Sequence, residues 1–189
     1  MMNQTDIADA LSTWTPTNVY ASRFRDLILT ATLAQMEAAS IWYFEAQEVA
    51  EDVAENLGAS LEVGASIVSA FSPRNRWASN VAQALAFSQG KPVSGLQNNI
   101  RMAEAAKTDG FDALRGLKTN AFARAIAGDT DAVVIDVWMC RAANLPTDSP
   151  NKSQYREVSE AVRIVAAEFG ITPRTAQALI WIIVRGSAS

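Results

Sequence analysis

Histidine is absent from this 189-residue chain, and cysteine occurs once, at Cys140. The first absence excludes Ser-His and Cys-His nucleophile pairs and ordinary zinc sites. The second excludes disulfides within the chain and cysteine-ligated iron–sulfur clusters, and it suits a reducing, cytoplasmic setting. No apolar run reaches the length needed to span a bilayer, so no membrane partner is expected. The opening residues, Met1-Met2-Asn3-Gln4-Thr5-Asp6, lack the basic-then-apolar layout of a secretion signal. Phosphate-loop and Rossmann glycine patterns are missing too, so no cofactor is expected. Any acid, base or nucleophile must come from Lys, Asp, Glu, Tyr, Ser or Thr.

Positive charge is scarce at one end. Residues 1–60 hold only Arg23 and Arg25 as bases, against acids that run from Asp6 and Asp9 to Glu55. The whole chain has 16 basic and 20 acidic residues, a net charge of −4, so the remainder is slightly basic. A nucleic-acid surface therefore belongs to the second part. The acidic N-terminal helix leaves room for a protein partner, although its mixed apolar face also suits ordinary packing.

What the chain does have is helical patterning throughout. Helices are expected over 22–57 (with a break near Ser40), 61–71, 77–87, 98–108, 111–114, 138–143, 154–169 and 173–184. Another starts at Lys118 and stops at Gly128-Asp129. Thr172-Pro173 reads as an N-cap followed by proline at the first helical position. The only strand-like stretch is the short apolar return Val133-Val134-Ile135. With about half its residues apolar, the chain reads as one domain or two small lobes sharing a core. Residues 1–60 would pack with the C-terminal helices, 61–135 would form a helical lobe, and 136–189 would complete the second lobe.

Two residues carry the chemistry. Lys118 starts one helix and Asp136 follows the apolar return, so an amine and a carboxylate can converge across the turn. The plainer alternative makes Lys118 a surface lysine and Asp136 the N-cap of the next helix. Arg74, Arg76 and Trp77 cluster after Ser72-Pro73, which suits phosphate contact and stacking on a base. Asn80 can reach a base edge or cap backbone groups. Trp42, Tyr43 and Phe44 are consecutive, so only one or two of them can face the core. Trp138 follows Asp136 closely and can line a site or pack between lobes. Trp181 and Cys140 read as buried structural residues.

The order of these landmarks resembles the helix-hairpin-helix DNA glycosylase superfamily, typified by endonuclease III. That family carries a hairpin of the form L-P-G-x-G-x-K-T, then a helix, then V-D-T-H-x-x-R. Here the matching residues are Gly116-Leu117-Lys118-Thr119 and Ile135-Asp136-Val137-Trp138-Met139-Cys140-Arg141. Upstream, Ile67-Val68-Ser69-Ala70-Phe71-Ser72-Pro73, followed by Asn80-Val81, is similar to the family's apolar helix ending in L-S-x-Q and its later asparagine. Downstream, the run from Ala178 to Arg185-Gly186 is similar to its late helix ending in H-G-R. The likeness covers roughly residues 61–186. Leu114 and Ala113 replace the hairpin's first glycine and its proline, Val137 and Trp138 replace Thr and His, and the cluster cysteines are missing. The chain is also similar to small phage-encoded proteins.

The resemblance implies an all-α, two-lobed glycosylase fold with a cleft between the lobes. It implies a monomeric DNA N-glycosylase, with or without AP-lyase activity, acting on a damaged or modified base flipped out of DNA. Lys118 would be the nucleophile and Asp136 the electrostatic or general-base carboxylate. Gly116, Thr119 and Arg115 would hold the DNA backbone at the hairpin, and Arg74, Arg76, Trp77 and Asn80 would face the extruded base or the gap. Trp42, Tyr43 and Trp138 are the pocket candidates. Two other readings stay open: a catalytically silent DNA-binding relative, and a phage enzyme that alters a base with a cosubstrate.

Overall fold

A computed structural model of the chain describes residues 15–186, and every regular element among them is helical. The first five helices are α1 (Pro16–Leu29), α2 (Leu33–Leu57), α3 (Leu61–Ala70), α4 (Trp77–Ser88) and α5 (Gln97–Asp109). A 3-10 turn (Gly110–Ala113) leads to α6 (Leu117–Ile126), α7 (Val137–Ala142), α8 (Lys152–Phe169) and α9 (Pro173–Arg185). The all-α expectation holds among the described residues. Asp6 and Asp9, part of the acidic segment, lie outside them.

One boundary expectation fails. The predicted 22–57 helix is two helices, broken at Thr30–Thr32 and continuous at Ser40. Thr32 Oγ1 accepts from the Gln35 backbone N–H at 3.2 Å, and the Gln35 side chain accepts from the Thr32 N–H at 2.9 Å. This reciprocal capping box starts α2 afresh. Ser40, expected to break the helix, turns its hydroxyl back onto the Glu37 carbonyl at 2.7 Å and stays helical. The Val133–Ile135 return is not a strand.

The core is organised by α3, which buries seven consecutive residues from Gly64 to Ala70. It packs against α2, α5 and α6. Gly64 permits the α2 crossing: a Cβ there would collide with the Ala50 carbonyl oxygen and stand 3.1 Å from the Ala54 Cβ. On the other side of the molecule α1 lies against α8 and α9, and α9 also touches α7 and α2. Arg25 on α1 makes two hydrogen bonds, 2.8 and 2.6 Å, to the Glu168 carboxylate on α8. Buried apolar side chains form one continuous cluster through all of these contacts. No described helix is long and apolar enough to cross a membrane. Thr172 caps α9 with Pro173 at its first position, as expected.

Candidate functional site

A cavity of about 400 Å³ opens among α2, α4, α6, α7 and α9. Its walls are aromatic. Trp42 is the hub, with ring centroids 4.8 Å from Tyr43, 5.4 Å from Trp77, 5.8 Å from Trp181 and 5.9 Å from Phe122. The consecutive trio on α2 separates by helical rotation. Tyr43 turns into the core at 4% exposure, Trp42 stands half-buried in the cavity wall, and Phe44 points outward at 58%. Tyr43 donates its hydroxyl to Gln177 Oε1 at 2.7 Å, which ties α2 to α9.

Asp136 ends the apolar return and begins α7. Its Oδ1 accepts from the backbone N–H groups of Trp138 at 2.9 Å and Met139 at 3.0 Å, while Oδ2 accepts from the Trp181 indole at 2.9 Å. The carboxylate is thus both an N-cap and a fixed part of the cavity wall. Tyr155 pins the return that delivers it, donating to the Val133 carbonyl at 2.9 Å and accepting from the Ile135 N–H at 3.2 Å. Lys118, in the first turn of α6, lines the same cavity. Its amine belongs to none of the ion pairs found among the described residues.

Arg74, Arg76, Trp77, Asn80 and Trp138 also line this cavity, and so does Arg185. Four basic side chains therefore face one carboxylate there, although the chain as a whole is acidic. Arg185 lies over the Trp181 ring at 4.5 Å and Arg141 over Trp138 at 4.7 Å, both within cation–π range. Arg74 adopts φ 56°, a left-handed conformation that costs a non-glycine residue roughly 1–2 kcal/mol. Two asparagines hold its loop in place. Asn75 Nδ2 donates to the Phe71 carbonyl at 3.1 Å and to Gln83 Oε1 at 2.8 Å, and Asn99 Nδ2 donates to the Pro73 carbonyl at 3.1 Å.

The hairpin residues fall elsewhere. Arg115 and Gly116 line a separate hollow of about 420 Å³, shared with Arg124 and Arg163. Gly116 has φ −80° and ψ 134°, which any residue can adopt. Thr119 is 8% exposed and donates its hydroxyl to the Gly116 carbonyl at 3.0 Å, so it closes the first turn of α6. Trp181, expected as a core residue, is half-buried in the cavity wall and bonded to Asp136. Ser72, Phe122, Gln177 and Arg185 were not singled out for the site and do line it. A signal for three of the wall residues was present: Gln177, Trp181 and Arg185 recur at i, i+4 and i+8 on one face of α9. Cys140 is buried as expected, and burial, followed by the nearby Asp136 charge, pushes its thiol up to about 11.

A family model matches residues 8–188, nearly the whole chain. The chain belongs to DUF7178, a family of unknown function. No curated protein and no solved structure matches it. The chemistry of this DUF7178 member therefore rests on its own side chains. No group of three metal-ligating residues occurs among those described.

All three tyrosines of this DUF7178 protein have phenols held above their ordinary value, chiefly by burial. Tyr155 is pushed up to about 12. A phenol raised on folding contributes stability that is complete below its unfolded value of about 10 and is lost as pH rises through the folded value. At pH ~10 the native protein is therefore expected to show less tyrosinate absorbance than the same chain in denaturant. Its urea midpoint should fall between pH ~10 and ~12. Equal tyrosinate in both states would contradict the buried hydroxyl network of Tyr43 and Tyr155.

Proposed function

We propose that the cavity receives a nucleotide turned out of DNA and that the protein is a DNA N-glycosylase with AP-lyase activity. One observation carries the reading: an amine, Lys118, and a fixed carboxylate, Asp136, line a single aromatic-walled cavity of about 400 Å³ with arginines around it. An extruded base costs a few kcal/mol to unstack, and ring walls repay part of that by stacking. Arg74, Arg76 and Arg185 supply phosphate contacts that hold a strand without reading its sequence. The proposal includes a two-lobed, glycosylase-like arrangement acting as a monomer, with α3 to α6 on one side and the helices of residues 1–60 and 136–189 on the other; α2, assigned with the terminal helices, packs on α9 and also on α3.

In this scheme the free amine of Lys118 forms a bond to the sugar C1′ as the glycosidic C1′–N bond breaks. The electron pair of that bond leaves with the base, which takes up a proton. Loss of a proton from Nζ and opening of the C1′–O4′ bond, with protonation of O4′, gives a Schiff base. Removal of a C2′ proton then expels the 3′-phosphate, and water hydrolyses the imine to free Lys118. Asp136 stabilises the positive charge that develops on the sugar and serves the proton transfers.

Borohydride reduces such an imine to a stable amine. Incubating the protein with a duplex that carries one abasic site, in the presence of borohydride, is expected to give a covalent adduct. The adduct should disappear in Lys118→Ala. An adduct of equal yield in Lys118→Ala would remove Lys118 from the chemistry, and no adduct with wild-type protein would remove the lyase step.

A further inference from the structure

Positive charge reaches the cavity from the loop before α4, from α6 and from the end of α9. The α2 wall brings Trp42 and Tyr43 and no base. Along its whole length α2 carries six acids, from Glu37 to Glu55, and no lysine or arginine. All six are exposed, and none enters an ion pair found among the described residues. Glu55 even stands in the last turn, where a negative charge opposes the helix dipole. An α-helix with its side chains is about 10–12 Å across. Glu37, Glu45 and Glu48, all within two turns of Trp42, therefore stand about one helix width from the cavity wall. That is close to the Debye length of ~8 Å at physiological salt, so a strand laid along α2 meets their repulsion.

A second observation concerns the gap that an extruded base leaves. Proteins that unstack a duplex frequently insert an apolar wedge between its bases. None of the large apolar side chains exposed among the described residues lines this cavity. Trp77, expected to face the extruded base or the gap, is held in the wall, 5.4 Å from Trp42 and 6.4 Å from Phe122. A single strand leaves no gap to fill, and its bases turn out at least cost.

We infer that the cavity serves an unpaired DNA strand, and that the acidic outer face of α2 keeps the second strand of a duplex away. This inference rests on the reading of the cavity as a nucleotide site. Ring faces for the bases and a basic track for the backbone are what single strands require. Arg74, Arg76 and Arg185 supply the track. A duplex seated on the same arginines brings its complementary strand toward the wall that lacks them. At saturating concentration a duplex still reacts, because repulsion raises its Kd without closing the cavity.

The test is fluorescence anisotropy of the full chain with a labelled oligonucleotide carrying one tetrahydrofuran residue, an abasic analogue that cannot form an imine. The strand is used alone and annealed to its complement, over a range of salt. The single strand is expected to bind roughly tenfold more tightly, the effect of a few screened like charges on a second strand. Its log K should fall with log salt at a slope of roughly −2, as for three phosphate contacts. Arg76→Ala should flatten that slope by about 0.7. In the triple variant Glu37→Gln, Glu45→Gln, Glu48→Gln, the duplex should gain roughly fivefold and the single strand less than twofold. These are surface changes, which leave stability nearly untouched, and circular dichroism verifies the fold.

A duplex bound as tightly as the single strand would overturn the inference. So would a preference left whole in the folded triple variant, or a slope that Arg76→Ala does not flatten. Equal binding alongside a borohydride adduct would leave the nucleotide reading standing without the inference. A single-strand preference with no adduct would sink the lyase step and leave the inference. Binding of neither form would sink both.

Discussion

Asp136→Asn is expected to remain folded while cleaving an abasic duplex on the order of 10²–10⁴-fold more slowly than wild type. Asparagine caps a helix about as well as aspartate, so its oxygen can keep the Trp138 and Met139 N–H groups. What it loses is the charge, and it sets an NH₂ group against the Trp181 indole donor. Asp136→Ala removes the cap as well. Losing the cap costs about 0.5–2 kcal/mol and leaving the indole unpaired about 1–3 kcal/mol. Alanine should therefore lower Tm by roughly 5–15 °C, at a few degrees per kcal/mol. Single-turnover cleavage and calorimetry separate the two roles. Full cleavage by the asparagine variant would reduce Asp136 to a cap, and an unchanged Tm in the alanine variant would deny the cap.

The largest purely structural effect is expected from Gly64→Ala. The new methyl would run into the Ala50 backbone, including its carbonyl carbon at 3.0 Å, and backbone cannot rotate away as a side chain can. Such overpacking costs about 3 kcal/mol or more where the helices must part. Because α2 carries Trp42 and α3 packs on the helix that carries Lys118, parting them also distorts the cavity. Gly90→Ala is the control. It has φ 69° with nothing within 4 Å of the added Cβ, so only backbone strain of about 1–2 kcal/mol is expected. Urea unfolding of the pair gives the comparison. A Gly64→Ala protein no less stable than Gly90→Ala would show that the α2–α3 crossing is looser than described.

The helices were legible because apolar spacing and end signals are local. Thr172-Pro173 starts α9 and Gly58 ends α2 where such residues should. The capping box Thr32–Gln35 is equally local, but the long apolar periodicity on either side masks it. Lys118 and Asp136 were legible as a pair because a short helix and a short return leave little freedom in where the two ends meet. The remaining wall was not. Trp181 sits in an apolar helix, and only the arrival of Asp136 at its indole distinguishes a wall residue from a core one. Ser72 and Asn80 stand out by their missing partners, a property that exists only once every neighbour is placed. Arg115 and Gly116 precede Lys118 by a few residues, yet the start of α6 sends them to a different hollow.

The wall draws its rings from α2, α4, α6, α7 and α9, and Trp42 meets Trp181 only when the two ends of the fold come together. During translation a nascent chain displays Lys118 and Asp136 well before α9 leaves the ribosome. Until then Asp136 lacks its indole partner and Tyr43 lacks Gln177. The amine and the carboxylate are made early, but the chamber that would aim them closes late. A ribosome carrying an unfinished copy therefore exposes no assembled pocket to the nucleic acid crowded around it.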